Sequence, residues 1–83
     1  MSKPWDAEYE KLLRAVLPRL GATVAPDASL RIAGLDSLAT VDLLVRLEEY
    51  YGVSIPDELL TPDVFSTPLT LWSAVGELLV SAA

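Results

Sequence analysis

Between Gly34 and Gly52 the chain spells out one helix with both ends marked, and this punctuation constrains the fold more than any other feature. Asp36 stands as N-cap, since its carboxylate can accept the orphan backbone N–H of Leu38 or Ala39. Gly52 supplies the residue that closes a helix C-terminus. Ser37 then falls in the first turn, where free N–H groups and the helix dipole both favour an anion, so a phosphate ester on Ser37 would be well placed. Asp-Ser before an apolar helix is also what an ordinary cap looks like.

The remaining sequence is helical in period as well. The spacing predicts a first helix from about Pro4 to Leu20, with Tyr9, Leu12, Leu13, Val16, Leu17 and Leu20 as its apolar stripe. Pro18 lacks an N–H and clashes with the preceding turn, so this helix kinks or ends near Leu17, with Gly21 past its end. Trp5 and Tyr9 are read as core or rim packing. Gly21 to Leu35 forms a long connection rich in turn residues. Leu30, Ile32 and Leu35 pin it to the bundle, Ile32 and Leu35 tucked beneath the loop.

In the second helix Leu38, Val41, Leu44, Val45 and Leu47 are the expected buried stripe, with Thr40, Asp42, Arg46 and Glu49 outside. Leu38 keeps two readings, the start of that stripe or a half-exposed contact. Val53-Ser54-Ile55 is irregular, and Pro56-Asp57-Glu58 is a turn or a short helical start. Thr61-Pro62 and Thr67-Pro68 each pair an N-cap threonine with an N1 proline, predicting a short helix over Pro62 to Phe65 and a final helix from Pro68. Leu71, Trp72, Val75, Leu78 and Leu79 line that last helix, Trp72 as an anchor whose indole N–H needs one polar contact. The expected fold is all-α: a small four-helix bundle of three longer helices and one short one, with a long loop between the first two. A single free-standing domain over residues 1–83 is expected, since no Pro-rich or Gly/Ser-rich linker and no internal repeat interrupts it.

Composition narrows the chemistry. A chain of 83 residues buries only about 60 to 65 % of its unfolded surface, so the core is thin. With 52 % hydrophobic and 22 % charged residues it is expected to fold alone. It has no cysteine and no histidine, which excludes disulfides, thiolate or imidazole metal ligands and any Ser-His or Cys-His pair. A Ser-Lys dyad would have to use Lys3 or Lys11, better read as solvated helix-surface charges, and Ser37 lacks the flanking glycines of a nucleophile elbow. Ser37 is therefore expected to be a substrate of another enzyme, with no catalytic residue in the chain. The net charge of −6 argues against nucleic acid and for basic protein partners. No acidic run matches an EF-hand loop, and no metal site is expected. No apolar run approaches the roughly 18 residues of a membrane span and the opening residues lack a signal-peptide core, so a cytoplasmic setting without membrane contact is expected.

The Gly34-Leu35-Asp36-Ser37-Leu38 motif, the loop before it, the acidic outward positions after it and the Gly52-Val53-Ser54-Ile55-Pro56 turn together resemble the acyl and peptidyl carrier proteins over roughly Leu30 to Leu79. The resemblance implies that Ser37 carries a covalent 4'-phosphopantetheine arm, moved from coenzyme A by a phosphopantetheinyl transferase. The arm supplies the thiol that this cysteine-free chain lacks. It also implies a monomeric, non-catalytic carrier that is loaded by an adenylating enzyme or acyltransferase and serves a downstream synthase or acyltransferase. Asp36, Asp42 and Glu49 form the expected docking face, each equally readable as a solvated charge, with Leu38, Arg46 and Ile55 as further candidate contacts.

Phe65-Ser66-Thr67-Pro68 followed by Leu71-Trp72-Ser73-Ala74-Val75 is similar to discrete aminoacyl carriers of antibiotic or polyketide pathways, and distantly to the D-alanyl carriers of cell-wall modification. This implies an amino acid or acyl starter unit, in polyketide or nonribosomal-type biosynthesis, ahead of a housekeeping fatty-acid role. Leu35 stands where many peptidyl carriers have the second glycine of Gly-Gly-x-Ser. A different class explains the helices equally: a non-catalytic acidic adaptor that binds a basic protein, with Ser37 unmodified or phosphorylated. It leaves unexplained why an accessible serine heads the acidic helix.

Overall fold

In the computed structural model of the chain, which describes residues 5–21 and 24–82 with the side chains of 81 and 82 excepted, the order of elements follows the punctuation of the sequence. Helix α1 spans Ala7–Val16, α2 spans Ser37–Tyr51 and α3 spans Pro68–Ala82, with 3-10 turns at Pro18–Leu20 and Asp57–Leu59. The described residues contain no strand.

Helix α1 starts where Asp6 caps it, its Oδ1 accepting the Tyr9 N–H at 2.9 Å. Pro4, the expected start, lies outside the described residues, as does Lys3. The helix stops before Pro18, as the missing N–H requires, and the chain tightens into a 3-10 turn that closes at Gly21 with φ of 78°. Helix α2 ends at Gly52 in the left-handed conformation, its N–H donating to the Glu48 carbonyl at 2.9 Å. At the head of α3, Thr67 Oγ1 accepts the Thr70 N–H while Thr70 Oγ1 accepts the Thr67 N–H, both at 3.1 Å. This is a reciprocal cap built from two threonines.

The segment expected to be a fourth helix, Pro62 to Phe65, makes a single turn. Thr61 starts it as expected, Oγ1 accepting the Val64 N–H at 3.3 Å, but only the Phe65 N–H reaches back four residues, to the Thr61 carbonyl at 3.2 Å. One such bond does not repay helix nucleation, and Pro68 has no N–H with which to prolong the run.

The core is drawn from all three helices and from the loops. Tyr9, Leu13 and Leu17 of the first segment, Leu43 and Leu47 of α2, and Leu71 and Val75 of α3 are fully or almost fully buried, with Val24 and Leu30 from the long connection between them. Two backbone bonds tie that connection down: Leu30 N–H to the Ser66 carbonyl at 3.0 Å and Leu69 N–H to the Pro26 carbonyl at 3.1 Å. Ile32, expected to be a pin, is 80 % exposed, whereas Val24 takes the buried place. Leu35 is half-buried against the core, as expected.

An aromatic chain links the helices. Tyr9 stacks at an angle between Trp5 and Trp72, at centroid distances of 5.4 and 4.8 Å, and Trp72 meets the edge of Tyr51 at 5.9 Å. Trp5 donates its indole N–H to Glu10 at 2.9 Å. The half-buried Trp72 makes no such bond among the described residues and contributes by packing. Tyr9 Oη donates to the Pro68 carbonyl at 2.6 Å, joining α1 to the start of α3, and Tyr51 Oη donates to the capping Asp6 carboxylate at 2.9 Å.

Both phenols are held in the neutral form. Burial pushes the Tyr9 hydroxyl far above its ordinary value, with nearby Tyr51 adding to the effect. Burial also raises Tyr51, followed by its hydrogen bond to Asp6. A group whose folded pKa is raised stabilises fully below its unfolded value, about 10 for tyrosine, and loses that contribution as pH climbs past it. The unfolding free energy from urea denaturation is therefore expected to be level up to about pH 9 and to fall above about pH 10, by up to about 1.4 kcal/mol per pH unit from Tyr9. Tyr9→Phe should remove the Tyr9 share of that slope and leave the share of Tyr51. A level profile to about pH 11 in the wild type would contradict this account.

Candidate functional site

The head of α2 is an ordinary cap as far as Asp36 is concerned, and Ser37 takes no part in it. Asp36 does all of the capping: Oδ1 accepts the Ala39 N–H at 2.8 Å, and its carbonyl accepts both the Thr40 N–H at 2.8 Å and the Thr40 hydroxyl at 2.7 Å. Ser37 is the first residue inside α2, its side chain exposed and without a hydrogen bond among the described residues. The backbone N–H groups of Ser37 and Leu38 lack a protein acceptor there as well. The hydroxyl is thus free, at the positive end of a long helix.

An open groove runs past it. Its walls are the loop carrying Arg31 and Gly34, the first turns of α2 with Ser37, Thr40 and Val41, and the Leu60–Ser66 stretch, with Phe65 among the lining residues. Of the two lysines considered as a base for Ser37, the described one, Lys11, is on α1 and paired with Glu8 at 3.1 Å. Among the described residues no group of carboxylates is arranged to hold a metal ion, and no helix is long and apolar enough to cross a membrane.

The exposed face of α2 departs from the expected pattern. Leu38, Val41 and Val45, assigned to the buried stripe, are 83 %, 57 % and 44 % exposed. Their spacing puts them on one face beginning beside Ser37. The core side is instead formed by Leu43 and Leu47, with Ala39, Leu44 and Tyr51 partly buried. Of the two readings of Leu38, the exposed one holds. Thr40 is half-buried rather than outside.

Asp42 and Glu49 are exposed and border the apolar row, four residues on from Leu38 and Val45. Asp42 is partly neutralised by Arg46, whose Nε donates to it at 2.9 Å. Ile55 sits elsewhere: its side chain is buried in the core, and its N–H donates to the Glu48 carboxylate at 2.7 Å. It offers little to a partner. Sequence reasoning missed Val41, Val45 and Ile32 as surface and Arg31 as a wall of the groove. The available signal was the excess of apolar residues on α2, more than one face of a helix can bury.

A small helical domain that displays one unengaged serine at a capped helix N-terminus, with no activating base among the described residues, offers that serine to modification by another enzyme. Comparison with known proteins gives the class its family. The model of the family described as "Phosphopantetheine attachment site" matches residues 10–71, most of the chain. The chain belongs to that family: it is a carrier domain, non-catalytic and acted on by partner enzymes, with 4'-phosphopantetheine as its covalently attached group.

Among curated proteins it is similar to the "Aminoacyl carrier protein" of Agrobacterium fabrum, 34 % identical over 61 residues, covering 66 % of this chain and 74 % of that protein. It is also similar to the mitochondrial acyl carrier protein of Dictyostelium discoideum, 50 % identical over 38 residues, or 46 % of this chain; the match spans only 32 % of that protein's length. Among solved structures it resembles a chain in the crystal structure of an engineered Bradyrhizobium japonicum glycine:[carrier protein] ligase complexed with carrier protein from Agrobacterium tumefaciens and AMP. The TM-score is 0.62 at 30 % identity, covering 80 % of this chain and 96 % of that one. The residues present fit the group: a free hydroxyl and an arginine line the same groove, and the first N–H groups of α2 beside that hydroxyl are open to a phosphate.

Proposed function

We propose that Ser37 bears the phosphopantetheine arm and that the loaded unit is an amino acid or a short acyl group, in polyketide or nonribosomal-type biosynthesis in the cytoplasm. The observation that carries the Ser37 assignment is the division of labour at the head of α2, where Asp36 caps and Ser37 stays free. Attachment joins Ser37 Oγ to the β-phosphorus of coenzyme A with loss of adenosine 3',5'-bisphosphate, the hydroxyl proton going to a base of the phosphopantetheinyl transferase. Bound, the group supplies a thiol on a flexible tether, on which cargo is held as a thioester at high effective concentration.

The cargo reading draws support from the interior. A long acyl chain needs an apolar sleeve between the helices, and here Tyr9, Trp72, Tyr51 and Phe65 occupy the space among them. A short polar unit gains nothing from such burial and stays on the solvated arm. The aminoacyl carrier relative and the ligase-bound carrier point the same way. An adenylating enzyme is accordingly the proposed loading partner, with a downstream synthase or acyltransferase receiving the cargo. After conversion with coenzyme A and a broad-specificity transferase, peptide mapping should place the added mass on the Ser37 peptide. An adenylating enzyme of its own pathway should then add an amino acid. Accumulation of long acyl chains in the native holo protein would overturn the cargo reading.

The docking face we propose is the apolar row of α2 with its acidic border. Leu38→Asp should lower kcat/KM for loading by about tenfold with circular dichroism unchanged, because the side chain is already exposed. Asp42→Lys with Glu49→Lys should slow association about three- to tenfold at low salt, and the difference should shrink as salt rises. Loading rates indifferent to both changes would move the interface off α2.

A further inference from the structure

We infer that Arg31 holds the phosphodiester at the root of the arm, so that the loop before α2 and the first turn of that helix form the two sides of one phosphate seat. The inference rests on Ser37 being the attachment residue.

Of the five lysines and arginines among the described residues, Lys11, Arg14 and Arg46 are already committed to Glu8, Glu10 and Asp42. The Arg31 side chain makes no ion pair or hydrogen bond among the described residues, and among them it is the only cation lining the groove that holds Ser37. Arg19, likewise unpaired there, lies in the turn after α1 and does not line the groove.

Arg31 is carried on a backbone held from both sides. Leu30 is fully buried and its N–H is bonded to the Ser66 carbonyl across the groove at 3.0 Å. Ala33 is buried two residues on, its N–H bonded to the Ser29 carbonyl at 3.1 Å. The Ile32 N–H donates to Ser29 Oγ at 3.2 Å, and the Arg31 carbonyl accepts the Gly34 N–H at 3.0 Å. The guanidinium is exposed, and the backbone that carries it is held fixed beside the groove that it lines.

The charges call for it. A phosphodiester on Ser37 adds a negative charge beside two carboxylates that line the same groove, Asp36 and Asp63. Asp36 has also taken the Ala39 N–H, leaving only the Ser37 and Leu38 N–H groups for the phosphate. A planar guanidinium offers paired donors to phosphate oxygens and offsets the repulsion. The arm would then leave Ser37 from a phosphate anchored toward the loop, with a preferred initial direction.

The test uses isotope-labelled protein converted from apo to holo form, with intact mass and peptide mapping establishing one arm on Ser37. The Arg31 Nε–Hε resonance is expected to shift on conversion and to return toward its apo position at high salt, while those of Arg19 and Arg46 stay in place. In holo Arg31→Gln the phosphorus resonance should be narrower than in the wild type, with Arg31→Lys in between. The bound population should differ by roughly two- to fivefold, the scale of an exposed charge pair. An Arg31 resonance unmoved by an arm proven to be on Ser37, with equal phosphorus linewidths in wild type and Arg31→Gln, overturns the inference and leaves the Ser37 assignment intact. An arm absent from the wild type, or mapped to another residue, overturns both.

Discussion

Ser37→Ala is expected to gain no mass at all when incubated with coenzyme A and a phosphopantetheinyl transferase, while the wild type gains one arm. The effect is all-or-none because ester formation needs an oxygen nucleophile, and at this position only the serine hydroxyl provides one. The substitution should leave stability within about 0.5 kcal/mol of the wild type, since the exposed hydroxyl supports no other group. Equal far-ultraviolet dichroism and equal urea midpoints for the two proteins would secure that comparison. If the alanine variant still takes up one equivalent, another serine is the acceptor and the free hydroxyl at the head of α2 has some other purpose.

The largest stability effect is expected at Tyr9, which is completely buried and touches the rings of both Trp5 and Trp72. Truncation to alanine removes a ring from a packed interior at a cost of about 3–5 kcal/mol. A domain this small commands a total near the lower end of about 5–15 kcal/mol, so Tyr9→Ala should be largely unfolded at moderate temperature. Tyr9→Phe isolates the hydroxyl: the Pro68 carbonyl loses its phenol donor, at about 1–2 kcal/mol. Urea denaturation of the pair separates the contribution of the ring from that of the hydrogen bond. A Tyr9→Ala midpoint close to the wild type would mean that the contacts of α1 with α3 matter little. For contrast, Ile32→Ala should change the unfolding free energy by less than about 0.5 kcal/mol, because that side chain lies in solvent.

The ends of the helices were legible in the sequence because capping is decided within a few residues. Asp36, Gly52, Pro18 and the Thr67-Pro68 pair all act where their types predict. The position of Ser37 followed from the same local grammar. The face that α2 turns inward was not legible, for a physical reason. Leu38, Val41, Leu43, Leu44, Val45 and Leu47 wrap most of the way round the helix, so period alone selects no side. What decides is tertiary packing: α1 packs against α2, and Leu43 and Leu47 join the shared core while Leu38, Val41 and Val45 stay in solvent.

The long connection failed in a related way. Whether Val24 or Ile32 pins it depends on which residues the Leu30–Ser66 and Pro26–Leu69 bonds draw inward, and those partners are distant in sequence. Arg31 could be recognised as a wall of the groove only after that crossing was known. Pro62 to Phe65 carried a correct start signal with too little chain after it to become a helix.

The same two bonds, Leu30 to Ser66 and Leu69 to Pro26, have a bearing on re-engineering. Because they join backbone to backbone, the spacing between the loop and the approach to α3 does not depend on which side chains line the groove. Leu60, Pro62 and Asp63 are exposed along the groove, so they can be exchanged while the frame beneath keeps its shape. The chemistry of this wall is thus open to redesign without rebuilding the interior.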